Sequence, residues 1–214
     1  MKKYIFGSNA LADVLYEYLK KDGIEISGFC LNKEYISSTD KNTFSIEEVL
    51  EKDGSDIGIY LAIGYKNMNY TREKVFKWLK INNIKILSYI HKSATISQNT
   101  KLGEGNIILE NVVLQPFVNI GDSNIIWEGC VISHHSKIGN FNYFSPAVAL
   151  AGRVNVGNNC FFGINSTIKN DVVIHNRVLV GASAYISNNI DDSIVVVPPK
   201  SIVLSVKSGS IDLK

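Results

Sequence analysis

The chain has 214 residues, 45% of them apolar, and 22 basic against 20 acidic side chains give a net charge of +2. That apolar content fills a real core and argues against disorder, while charge spread along the whole sequence leaves no basic stripe for a nucleic-acid backbone. Three cysteines without CxxC spacing, an N-terminal apolar run too short for a signal peptide and no run of membrane-spanning length lead us to expect a cytoplasmic protein without membrane insertion.

The first ninety residues alternate strand and helix patterns. Lys3 to Phe6 reads as a short strand, Gly7-Ser8-Asn9 as a turn, and Ala10 to Lys20 as an amphipathic helix with Leu11, Val14, Leu15 and Tyr18 on one side. Ile24 to Phe29 is the expected second strand, Ile57 to Ile63 a buried parallel strand, Asn69 to Lys80 a helix and Ile84 to Tyr89 a further strand. Together they predict a small doubly wound, Rossmann-like α/β domain over residues 1–91.

From Ile96 onward a six-residue period takes over. Ile96, Leu102, Ile108, Leu114, Ile120, Ile126, Ile132, Ile138, Phe144, Leu150, Val156, Phe162, Ile168, Ile174, Val180 and Ile186 are all large and apolar, and the positions two residues earlier are small or β-branched. Six fits neither a helix nor a heptad, but it fits a short strand followed by a corner. Gly103, Gly121, Gly139 and Gly157 fall eighteen residues apart, so three hexapeptides should make one coil of a triangular solenoid, each coil burying its neighbours. At these glycines, and at Gly163 and Gly181, the corner needs either positive φ or close approach. A β-sandwich has no reason to keep such a period over ninety residues. The expected solenoid covers 92–190, with 191–214 as a cap and a peripheral tail after Pro198-Pro199.

An α/β domain followed by this solenoid resembles the bacterial sugar acyltransferases typified by sialic acid O-acetyltransferases and UDP-4-amino-sugar N-acetyltransferases. The carriers are Ser88-Tyr89-Ile90-His91-Lys92-Ser93-Ala94, Ile132-Ser133-His134-His135-Ser136-Lys137-Ile138-Gly139 and Cys160-Phe161-Phe162-Gly163-Ile164-Asn165-Ser166. The resemblance implies a left-handed parallel β-helix, homotrimers with active sites between solenoids, acetyl-CoA as acyl donor, and a nucleotide-sugar acceptor held partly by the N-terminal domain for surface glycan synthesis. Two departures stand out. The first loop reads Phe6-Gly7-Ser8-Asn9-Ala10 instead of a glycine-rich turn with His-Gly, and Cys30-Leu31-Asn32-Lys33 replaces an acidic pair after the second strand.

His134 follows inward-facing Ile132 by two residues, so its side chain should lie outside the prism near a corner. With an ordinary imidazole pKa of roughly 6.5 it can take the proton that an attacking amine or hydroxyl loses. His135 stands where many relatives carry Asp or Glu and would orient His134 without offering a compensating charge; Glu128 is the candidate acid. By resemblance, Gly152, Gly163, Ile164, Gly181 and Ala182 are expected along acetyl-CoA, with a backbone N–H near Gly152 polarising the thioester carbonyl and Lys169, Arg177 and Lys200 as candidate partners for its phosphates. For the acceptor, Gly7, Ser8 and Asn9 precede a helix that could face a phosphate. Asn32, Lys33, Gly64 and Tyr65 lie at carboxyl ends of strands, where open α/β sheets bind ligands; Tyr65 could stack on a base, and Arg72 meets a phosphate or is structural. His91 and His175 read as structural. No metal is expected, since four histidines, two of them adjacent, do not supply the three converging ligands of a zinc lyase. An amine acceptor is favoured because it demands less of its base; a hydroxyl acceptor, or a sugar-binding protein without activity, are the alternatives.

Overall fold

A computed structural model describes residues 1–36, 43–201 and 205. The N-terminal region is a parallel sheet of five strands: β1 (Lys2–Phe6), β2 (Gly28–Leu31), β3 (Thr43–Ser45), β4 (Ile57–Leu61) and β5 (Lys85–Leu87), in the order β3-β2-β1-β4-β5. Three helices connect them: α1 (Ala10–Lys21), α2 (Ile46–Asp53) and α3 (Tyr70–Ile81). Alternation along β1 divides the core, as a period of two requires. Ile5 packs with Leu11, Ala12, Leu15 and Leu19 of α1, while Tyr4 and Phe6 face Ile46 and Val49 of α2 and Val75, Phe76 and Leu79 of α3.

Three elements differ from the sequence reading. The second strand starts at Gly28, with Ile24 and Ile26 packed beside it as loop. Strand β3 and helix α2 are absent from that reading, although Ser45 and Glu48 carry the helix's signature: Ser45 Oγ accepts from the Glu48 N–H, and the Glu48 carboxylate accepts from the Ser45 N–H.

The remainder is a solenoid of two-residue rungs in three parallel sheets, one for each face of a triangular prism. The first face runs from Tyr89–Ile90 through Ile107, Ile125, Tyr143 and Phe161 to Val195–Val196; the second from Thr95–Ile96 to Tyr185–Ile186; the third from Lys101–Leu102 to Val173–Ile174. Most successive coils pair in a register of eighteen residues, as Ile126 with Phe144 and Ile132 with Leu150 show. The large hexapeptide residues point inward and are buried from Ile108 to Ile186, with Phe144 and Phe162 stacked at 4.6 Å. The first rung starts just ahead of the expected junction at His91, since Tyr89–Ile90 already pairs with Ile107–Ile108. At the other end, Val195–Val196 pairs with Leu179–Val180, so the expected cap adds a rung instead of merely covering one. The tail beyond 201, Ser205 apart, lies outside the described residues.

The corners show why the period is six. Every sixth residue from Gly105 (φ 67°) to Ser183 (φ 59°) is left-handed, and all but Gly105 and Gly129 carry side chains. Such backbone costs about 1–3 kcal/mol at a non-glycine residue and persists because the stacked coils over-determine it. The glycine columns do a different job. None of the six repeat glycines is left-handed; instead a Cβ on Gly121 would come 2.7 Å from the carbonyl oxygen of Gly139. Close approach, not positive φ, is what those positions require.

Side-chain ladders reinforce the stack. Backbone N–H groups of Glu104, Asp122, Asn140, Asn158 and Asn176 each donate to the Asp or Asn side chain one coil further on, ending at Asp192. Inside the prism a second ladder runs the other way: the side chains of Asn106, Asn124 and Asn142 accept the backbone N–H groups of Asn124, Asn142 and Cys160, one coil further on.

The two parts are joined by buried contacts. Arg72 is fully buried and donates to the carbonyls of Ile63, Gly64, Ser123, Phe141 and Asn142. Asn69 donates to the Cys160 carbonyl, and Tyr89 donates to Asp22. Of the two roles open to Arg72 the structure gives it the structural one: its donors are spent on five carbonyls and none is free for a phosphate.

Candidate functional site

His134 and His135 occupy the corner between the second and third faces, outside the core. The His134 N–H donates to Gln115 Oε1 at 3.0 Å, and its carbonyl accepts the Arg153 N–H at 2.9 Å, so the backbone is held from the coils on both sides. His135 is the left-handed residue of its corner, at φ 61°, and its ring rests against Phe117 at 4.7 Å between centroids. The two Nδ1 atoms lie 3.1 Å apart. A hydrogen bond between them requires one Nδ1 protonated and the other bare.

Gly152 lies one coil beyond His134, and the imidazole covers it. A Cβ there would come 2.6 Å from Cε1 and 2.7 Å from Nε2. Among the described residues the Gly152 N–H makes no hydrogen bond. Its carbonyl accepts the Asp171 N–H, and the Asp171 carboxylate takes two hydrogen bonds from Arg153. Those bonds from Arg153 first, then one from Asn170 and the nearby charges of Arg153 and His134, hold the Asp171 carboxyl below the usual carboxylate range. The acid whose charge reaches His134 is therefore Asp171. Glu128 sits on another corner, where its charge bears on Cys130 and Tyr143. An eighteen-residue step from the histidine pair would have found Arg153, one residue past Gly152.

The other expected residues fall elsewhere on the prism. Gly163, Ile164, Gly181 and Ala182 form the corner between the first and second faces. The N–H groups of Gly163 and Gly181 donate to Val180 and Val196 within the ladder. A Cβ on Gly163 would collide with the backbone of Gly181 and Ala182, so this glycine closes the coil spacing. Ile164 is exposed. Lys169 and Lys200 point to solvent, and Arg177 donates to Ser193.

In the α/β domain, Gly7-Ser8-Asn9 and Gly64-Tyr65 meet beyond the adjacent strands β1 and β4, where the strand order reverses. A Cβ on Gly7 would strike the Ala62 carbonyl, which explains the glycine. Part of the turn is already committed: Asn9 Oδ1 accepts from Leu11 and Ala12, its Nδ2 donates to Ala62, and the Gly7 N–H donates to Cys30, while among the described residues the N–H groups of Ser8, Asn9 and Ala10 have no acceptor. A cleft of about 530 Å³ is lined by Asn32, Tyr35, Asn67, Tyr70, Lys74 and Trp78. Tyr65 stands edge-on to Tyr143 and Phe161, each at 5.0 Å, and so sits between this domain and the first solenoid face. His91 is buried with Nδ1 against Ser93, consistent with a structural role, and His175 donates its N–H to Ile190.

The residues thus form two sets. Of the residues expected to hold the acceptor, Tyr65 adjoins the Gly163–Ile164 corner, because Phe161, which it touches, precedes that corner on the same rung. The histidine pair lies across the whole second face. Among the described residues no group of three His, Cys, Asp or Glu is placed to hold a metal, and no helix is long and apolar enough to cross a membrane.

The family model for bacterial transferase hexapeptide (six repeats) matches residues 99–134 and 153–188. Both stretches lie within the solenoid, so its coils match the hexapeptide repeat that this model describes. The chain is similar to GDP-perosamine N-acetyltransferase from Caulobacter crescentus, solved with CoA and GDP-perosamine as a histidine-to-alanine variant, at 26% identity and a TM-score of 0.82, covering 91% of this chain and 92% of that one. The acetyltransferase domain of PglB from Neisseria gonorrhoeae gives 21% and 0.79, covering 91% and 95%, and WeeI from Acinetobacter baumannii gives 15% and 0.57, covering 92% and 97%; these two speak to fold, a left-handed parallel β-helix behind an α/β domain. No curated protein matches the chain.

Proposed function

We propose that this hexapeptide protein transfers an acetyl group from acetyl-CoA directly to the amine of a nucleotide-linked sugar, with His134 as general base. The observation that carries the reading is the environment of His134. Its Nδ1 is engaged by His135, the ring borders Gly152, and among the described residues neither its Nε2 nor the Gly152 N–H has a hydrogen-bond partner. As the acceptor nitrogen attacks the thioester, Nε2 takes its proton, which is typically worth about 10² to 10⁴ in rate. The Gly152 N–H stands ready for the developing oxyanion, a role in which one donor contributes about 10² to 10³. The likeness to GDP-perosamine N-acetyltransferase supports an amino sugar carried on a nucleotide.

Placement of the two sets supports a site shared between copies. A chain's own acceptor set lies beside the first face, on the far side of the prism from its His134. If second faces pack against one another in a homotrimer, the Gly163–Ile164 corner of one chain meets the His134 corner of the next. Val113, Val131 and Ala149, which point outward on that face, are small and apolar enough to serve as the contact.

The test is to incubate the protein with acetyl-CoA and a panel of GDP- and UDP-linked amino sugars, following CoA release and the product by mass spectrometry. The reading expects an amide on one of them. An ester product would move the acceptor to a hydroxyl, and acetyl-CoA binding without turnover on any sugar would make the chain a binding protein.

A further inference from the structure

Among the described residues, the one side chain hydrogen-bonded to the His134 ring is a second imidazole. His135 takes the place at which a carboxylate would hold the base's proton by charge. An imidazole in that position does something a carboxylate does not: it both accepts and releases a proton near neutral pH, each through a different nitrogen. Its Nδ1 meets Nδ1 of His134 at 3.1 Å, the residue is exposed, and among the described residues its Nε2 has no hydrogen-bond partner. Phe117 supports the ring from the preceding coil. The charged groups facing the pair are Arg153 and Asp171, tied to each other by two hydrogen bonds.

Resting on the general-base role of His134, we infer that His135 is a proton relay that connects His134 to bulk water. In the resting pair His134 carries its proton on Nδ1 and donates it to the bare Nδ1 of His135, whose own proton is on Nε2. When the acceptor's proton arrives at His134 Nε2, the Nδ1 proton crosses to His135, and the Nε2 proton of His135 leaves to water. The pair is then left with its tautomers reversed. Reset runs the other way: water returns a proton to His135 Nε2, His135 Nδ1–H passes its proton to His134 Nδ1, and His134 Nε2–H protonates the CoA thiolate. One proton leaves the acceptor, one reaches the thiol, and the pair ends as it began.

Orientation and relay are separable by substitution. Asn tolerates the left-handed backbone of residue 135 and can accept a hydrogen bond from His134 Nδ1, yet it cannot pass a proton. Kinetics of His135→Asn and His135→Ala should be measured with acetyl-CoA and the accepted sugar across pH 5.5 to 9, in water and in mixed deuterium oxide. The relay predicts that both variants lose about tenfold or more in kcat with little change in the KM for acetyl-CoA, and that the proton inventory, curved in the native enzyme, becomes linear in His135→Asn. Native kcat and an unchanged inventory in a folded His135→Asn would overturn the relay and leave His135 as an orienting contact. Loss of turnover in His134→Ala alongside that result would show that only the relay had failed; full turnover in His134→Ala would remove the general base itself.

Discussion

The imidazole of His134 covers the Cα of Gly152, one coil further along the prism, so closely that a methyl group on that carbon would come 2.6 Å from Cε1 and 2.7 Å from Nε2. Gly152 is not in a left-handed conformation, so Ala would be tolerated by the backbone and refused only by the ring. We predict that Gly152→Ala displaces the imidazole, lowering kcat at least tenfold, with a stability loss of about 1–3 kcal/mol from overpacking. Thermal denaturation and steady-state kinetics on the same sample check both halves. Equal activity in a folded variant would mean that the ring has no fixed working position.

Arg72 supplies the second prediction. Its guanidinium serves carbonyls from the loop after β4 and from three solenoid positions, so it fixes the α/β domain to the prism. Arg72→Met should cost about 3 kcal/mol or more, because buried carbonyls lose charged donors. Lys should restore only part of that, having three donors in place of five. Hydrogen exchange should report the loss at the domain junction, near Ser123 and Phe141, before the inner rungs. Wild-type stability in Arg72→Met would contradict the role assigned to this residue.

A pH dependence follows from the end of the outer ladder. Asp192 accepts the backbone N–H of Asn176, then its side-chain amide, and these bonds with the charges of His175 and Arg177 hold the carboxyl below its usual range. A depressed folded-state value means the contribution is present above the unfolded carboxyl's pKa, roughly 3.9, and is lost as pH falls through the folded value. Asp192→Asn keeps an acceptor for both bonds but does not titrate. Its melting temperature should fall less than the wild type's between pH 5 and pH 3; parallel curves would show that Asp192 carries none of the acid sensitivity.

The solenoid was readable because its physics repeats. Sixteen inward residues at one period leave little freedom, and Ile96 to Ile186 do fill the prism. The corners were less legible. Their left-handed residues include Phe117, Phe141 and Arg153, types that carry no local signal for that conformation and adopt it because stacked coils impose it. Histidines at a corner were visible from the spacing to Ile132, but their partners were not, since Arg153 and Asp171 reach the pair only after the chain has completed one coil and then two. Arg72 was ambiguous for a similar reason: its five acceptors lie up to seventy residues away. In the α/β domain the capping pair Ser45 and Glu48 marks the start of α2 in the sequence itself.

His134 is the group proposed to take the acceptor's proton. The direct measurement is kcat for His134→Ala with acetyl-CoA and the accepted sugar, on protein whose melting temperature and acetyl-CoA affinity match the wild type. A fall of about 10² to 10⁴ is the predicted result. Turnover equal to the wild type would contradict it.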